Sequence, residues 1–99
     1  MAQLIITYWR DMPAQVTVKA GRKNARRQLP ERFEKAIDAA AMRGGLDGSD
    51  DYLAEWRKAD PVEVGEDLEA EAEKAAQDID TSYTAERLRA LIANEGRQA

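Results

Sequence analysis

Two short stretches combine residue types that bind or react with their neighbours. The first is Tyr8-Trp9-Arg10-Asp11. Tryptophan and arginine carry much of the energy at protein interfaces, so this run is a candidate recognition surface. A structural role competes with that reading: Tyr8 in the core, with Arg10 and Asp11 as an ion pair closing a hairpin. The second is Arg22-Lys23-Asn24-Ala25-Arg26-Arg27, with four cations in six positions. Guanidinium and ammonium groups so close together suit a phosphate or a partner's carboxylates, although a solvated loop has the same composition. Trp56-Arg57 repeats the pairing, but Trp56 shares a helical face with Tyr52 and Leu53 and reads as core.

What is missing narrows the chemistry further. The 99 residues include neither cysteine nor histidine. Disulfides, thiolate metal sites, cysteine nucleophiles and the Ser-His-Asp arrangement are therefore excluded. No G-x-G-x-x-G or G-x-x-x-x-G-K-[ST] segment occurs, so there is no glycine-rich phosphate loop. Asp47-Gly48-Ser49-Asp50-Asp51 has a passing likeness to a calcium loop. It puts Tyr52 where that loop needs glycine and Lys58 where it needs glutamate. The hydroxyls of Thr7, Thr17, Ser49, Thr81, Ser82 and Thr84 have no histidine to activate them. The acids from Glu63 to Glu73 read as the wet side of a helix. No cofactor and no metal are expected.

The elements that must position these residues fit one domain spanning 1–99, of class α+β. Gln3 to Arg10 alternates as a strand, with Leu4, Ile6 and Tyr8 on one face and Ile5, Thr7 and Trp9 on the other. Asp11-Met12-Pro13 turns the chain. Ala14 to Ala20 returns as a half-buried partner, with Val16 and Val18 inward and Gln15, Thr17 and Lys19 outward. Arg22 to Gln28 is read as a loop or the first turns of a helix. Phe33, Ala36, Ile37, Ala40 and Ala41 then mark a helical stripe that Gly44-Gly45 ends. Ser49 is placed as the cap of a second helix running to about Lys58. Asp60-Pro61 breaks that helix, and Pro61 to Val64 forms a short third strand. Leu68, Ala72, Ala75, Ala76 and Ile79 recur at helical spacing, and a cap or kink at 81–84 leads to Leu88 and Leu91.

The expected order is therefore ββααβαα: a three-stranded sheet, order 2-1-3, packed with about four helices. The expected core is Leu4, Ile6, Tyr8, Val16, Val18, Phe33, Ile37, Ala40, Leu53, Trp56, Val62, Leu68, Ala72, Ala75, Ile79, Leu88 and Leu91. The polar face of the second strand suggests an open sheet face. Trp9, pointing to that face, is expected to be at least partly exposed, with Arg10 and Asp11 at the hairpin rim.

The formal net charge of −4 conceals a division along the chain. Residues 1–45 hold nine basic and four acidic side chains; residues 46–99 hold six and fifteen. The basic half suits an anionic partner, while the acidity of the whole opposes nucleic acid. No apolar run reaches the roughly 20 residues of a membrane span. The first residues lack the basic and apolar regions of a signal peptide. A cytoplasmic location is therefore expected.

Several segments resemble a small bacterial family known by the label virulence factor. They are Tyr-Trp-Arg-Asp-x-Pro-Ala-Gln-Val at 8–16, Gly-Arg-Lys at 21–23, Arg-Phe at 32–33, Ala-Ile-Asp-Ala-Ala-Ala-Met-Arg at 36–43, Tyr-Leu-Ala-Glu-Trp-Arg at 52–57 and Pro-Val-Glu-Val-Gly at 61–65. A similar domain is found within the conserved virulence factor C proteins. The resemblance implies no catalytic residue. It also implies an association with folate- and corrinoid-dependent one-carbon transfer.

These observations favour a non-catalytic interaction module over an enzyme: a small accessory or adaptor subunit that meets a protein partner or a second copy. The alternative is a binding or catalytic domain for an anionic small molecule, phosphate-like or folate-like. The candidate residues in either case are Trp9, Arg10, Asp11, Arg22, Lys23, Arg26 and Arg27.

Overall fold

In the computed structural model, the described residues are 2–46 and 50–98. The proposed cap Ser49 and the first part of the calcium-like stretch, Asp47 to Ser49, lie outside them. The chain is α+β, in the order β1 (Ala2–Trp9), β2 (Met12–Ala20), β3 (Lys23–Gln28), α1 (Glu31–Arg43), α2 (Asp50–Ala54), β4 (Trp56–Lys58), β5 (Val62–Val64), α3 (Leu68–Ser82) and α4 (Ala85–Ala93). The sheet is antiparallel, with β3, β2 and β1 side by side and both β4 and β5 pairing the far edge of β1.

The N-terminal hairpin forms as the alternation demands, with Leu4 opposite Val18 and Ile6 opposite Val16. Near the turn the register slips: Thr7 faces Gln15 but Tyr8 faces Pro13, which leaves Ala14 as an extra residue in β2. Such a bulge re-aims side chains locally and adds twist. Arg10 begins the turn at φ +54°, a left-handed conformation that costs energy for a residue with a Cβ. Its side chain is held on several sides. Nη1 donates to the Glu95 carbonyl at 2.7 Å, Nε faces Glu55 Oε2 at 3.2 Å, and the guanidinium lies 5.0 Å from the Trp9 ring centroid.

Two segments differ from expectation. Arg22 to Gln28 is neither loop nor helix start; its residues 23–28 are β3. Gly21 at φ +59° makes the two-residue turn that Ala20 and Lys23 close, and β2 supplies the ladder. Lys and Arg along this outer edge suit it, since charge discourages edge-to-edge association. The second helix stops at Ala54 instead of reaching Lys58. A single five-residue helix gains little by itself. The open edge of β1 offers the following residues a full ladder: Arg57 pairs Tyr8 and Trp56 pairs Trp9. Together β4 and β5 make one edge strand, interrupted at Asp60-Pro61. Proline has no N–H to give and bends its predecessor away from regular pairing. The sheet thus has five strands, not three.

These differences move three residues out of the expected core: Leu53, Trp56 and Val62 are 65%, 36% and 57% exposed. Leu4, Ile6 and Tyr8 are half-buried. Leu68, Ala75 and Ala76 of the α3 stripe are likewise only half-buried, while the other stripe residues behave as read. Phe33, Ile37, Ala40 and Ala41 of α1, Ala72 and Ile79 of α3, and Leu88 and Leu91 of α4 are buried. Helix α3 lies against β2 and β3, and α1 packs on α4 and β2. Asp67 caps α3 by accepting from the Ala70 amide at 3.1 Å, and Thr84 caps α4 by accepting from that of Arg87 at 3.2 Å. None of the described helices is long and apolar enough to cross a membrane.

Trp9 reverses its expectation: it is fully buried. Its indole Nε1 donates to the Tyr52 carbonyl at 3.0 Å, and its ring lies 5.6 Å from that of Tyr52. The chain after α4 closes the other side. Asp11 donates its amide to the Gly96 carbonyl at 2.9 Å and accepts from the Gln98 amide at 2.7 Å. Gly96 sits at φ +88°, and a Cβ there would come within 2.7 Å of the Trp9 ring. Gly96→Ala is therefore expected to lower stability by roughly 1–3 kcal/mol through strain and overpacking. Chemical denaturation of the variant checks this.

Candidate binding face

The alternation that sends Val16 and Val18 under α3 sends Gln15, Thr17 and Lys19 the other way. Register adds to them from both sides. Asn24, Arg26 and Gln28 of β3 pair Lys19, Thr17 and Gln15, while Ile5 and Thr7 of β1 pair Thr17 and Gln15. Lys58 of β4 pairs Thr7. No described helix covers this part of the sheet. The result is a shallow depression of about 420 Å³ with a floor of Ile5, Thr7, Gln15 and Thr17 and a margin of Lys19, Lys23, Arg26 and Lys58. Among the described residues, no carboxylate lines it. Among the described residues, none of these four cations forms an ion pair.

A second recess of about 240 Å³ adjoins the first and shares Thr7 and Gln15 with it. Its inner wall is Ala14, Leu29 and Ile37; Tyr52 and Trp56 flank it, and Glu34 and Asp38 of α1 stand over it. The Tyr52 and Trp56 rings meet edge to face, 6.1 Å apart and 85° between planes. Burial, followed by the nearby Asp38 charge, pushes the Tyr52 phenol above its ordinary pKa.

The residues singled out in the sequence are dispersed by the fold. Lys23 and Arg26 line the basic depression. Arg22 is exposed in the β2–β3 turn. Arg27 belongs to the opposite face, because adjacent strand residues point oppositely. There it holds α3 through Glu69, and through Glu73 at 3.2 Å. Arg10 and Asp11 sit at the hairpin end, each engaged within the chain: Arg10 with Glu55, and Asp11 with Arg57 at 3.4 Å. Trp9 is beneath them, out of reach of a partner. Sequence reasoning overlooked Lys19 and Lys58 as members of the face. For Lys19 the signal was present, in the Gln15-Thr17-Lys19 alternation. For Lys58 there was none, since it is separated in sequence and was read as helical. Among the described residues, no group of three or more carboxylates is placed to hold a metal ion.

The fold and this face define a small α+β domain with an uncovered, cationic sheet surface. A family profile described as virulence factor matches residues 7–92. That is most of the chain, and the protein belongs to this family. No curated protein and no solved structure matches it.

Proposed function

We propose that the domain is a non-catalytic interaction module of the bacterial cytoplasm, an accessory or adaptor subunit whose open sheet face receives an acidic segment of a protein partner. One observation carries the reading: Lys19, Lys23, Arg26 and Lys58 surround a largely polar floor with no carboxylate among the described residues that line it. Elsewhere on the domain, Arg10, Arg27, Arg32 and Arg57 are matched by acids of the same chain. Four cations held unmatched on one face repel one another, and an acidic occupant relieves that repulsion. Hydroxyl and amide groups on the floor add donors to carboxylate oxygens.

The test is anisotropy of a labelled hexaglutamate peptide. Binding is expected to be weak and to fall as salt rises. It should drop at least about tenfold in the Lys19→Glu/Arg26→Glu variant, a loss of roughly 1.4 kcal/mol or more. Both side chains are at the surface, so the variant should keep its fold. Arg27→Gln, on the opposite face, should bind as the parent does. Equal binding by the double charge reversal, or none by the parent, overturns the reading.

The concavity of the face favours a second reading, an anionic small molecule such as a phosphate-like or folate-like acid. Tripolyphosphate or a folate at 100 times its Kd would add about 2.7 kcal/mol of stability, visible as a thermal shift, while on this second reading hexaglutamate neither binds nor shifts the melting temperature. A second copy presenting the Glu69 and Glu73 side of α3 would instead appear as concentration-dependent sedimentation.

A further inference from the structure

The recess beside the basic face has the opposite polarity, and its walls specify a different group. Glu34 and Asp38 stand one helical turn apart on α1, where like charges repel. Neighbouring cations do not relieve them: Lys35 turns to Glu31 at 3.7 Å, and Arg32 to Asp80 at 2.7 Å. Below them, Tyr52 and Trp56 present rings at nearly a right angle. Aromatic faces flanked by carboxylates attract an organic cation. The apolar wall of Leu29 and Ile37 suits the methylene stem of such a group.

We infer that this recess seats one lysine or arginine side chain belonging to the same segment whose acidic residues occupy the basic face. The inference rests on the acidic-segment reading above and adds a spacing to it. The recess reaches Ala14, whereas the four cations stand level with Gln15 (Lys58), Thr17 (Arg26), Lys19 itself and Ala20 (Lys23), centred near Val18, four residues further along β2. At about 3.3 Å per strand residue, that is roughly 13 Å. An extended segment lying along the sheet therefore places its cation about four residues from the centre of its acids. Segments with the acids alone, or with an acid at the anchor position, fit less well because Glu34 and Asp38 repel them.

Capped peptides test this, each with three consecutive glutamates and, four residues from the middle one, lysine, norleucine or alanine, in both chain directions. In one direction, lysine is expected to bind about three- to tenfold more tightly than norleucine. That advantage should vanish in Glu34→Gln/Asp38→Asn, whose positions are exposed on α1. Acrylamide quenching gives an independent readout. Trp9 is buried whereas Trp56 is about a third exposed, so at equal peptide concentration the lysine peptide should shield the accessible tryptophan more than the norleucine or alanine peptide does. Norleucine equal to lysine, lysine equal to alanine, or an advantage that survives the double variant would overturn the inference while leaving the acidic-segment reading in place. Failure of every peptide to bind would remove both.

Discussion

Trp9→Ala is expected to cost about 3–5 kcal/mol of folding stability, the scale of emptying a buried aromatic site. In a domain of this size each kilocalorie corresponds to roughly 4–8 °C, so the melting temperature should fall by at least about 12 °C. Three effects combine. The indole has no solvent exposure. Its Nε1 satisfies the Tyr52 carbonyl, which alanine would leave without that donor. The space vacated lies where α2 and the chain around Gly96 meet the hairpin end, so the loss would loosen the contacts that hold Arg10 in its left-handed turn. Trp9→Phe should recover part of the stability, since it restores ring volume without the donor. Circular dichroism melting of the three proteins settles the order. A change below about 1 kcal/mol for alanine, typical of surface positions, would show that Trp9 is not a core residue.

Phe33→Ala is expected to lose a similar amount, about 3–5 kcal/mol. Phe33 is 1% exposed on α1. Its ring meets Tyr83 edge to face at 6.0 Å, and the Arg32 guanidinium lies 4.5 Å from its centroid. Arg32 also donates to the Tyr83 carbonyl at 2.8 Å and to Asp80, tying the start of α1 to the end of α3. Removing the ring opens a cavity where two helices and the sheet converge, and rigid neighbours cannot collapse to fill it. Urea unfolding should show the midpoint falling with little change in slope, as for a cooperative loss of stability. Tyr83→Phe keeps the edge-to-face contact and should cost far less. Loss of the same size there would trace the effect to the hydroxyl instead.

Much of the architecture was legible because it depends on local periodicity. The 2-residue alternation in 3–20 determined the hairpin and which side of β2 is apolar. The helical stripes in 33–41 and 68–92 determined α1, α3 and α4, and the cap or kink expected at 81–84 is the Thr84 cap of α4. The basic stretch supplies Lys23 and Arg26 to the open face, but its composition does not separate them from Arg22 in the turn or from Arg27 on the opposite face.

Three matters were decided only in three dimensions. The first is β3 and β4: neither KNARRQ nor Trp56-Arg57-Lys58 has a strand pattern strong enough to stand alone. Each is extended because an existing strand offers it unpaired backbone groups. The second is the grouping of cations. Arg26 and Arg27 are adjacent in sequence, yet the pleat puts one on the open face and the other in ion pairs with α3, while Lys58 arrives beside Thr7 from a distant segment. The third is Trp9. Alternation correctly sends it away from Tyr8, toward the face that is open around Thr17 and Lys19. That face is not uniform. Tyr52 and Gly96, 43 and 87 residues away, cover its hairpin end and leave the remainder bare. Periodicity reports which side a residue faces; whether that side is covered depends on chain segments far away, whose arrival no local pattern encodes.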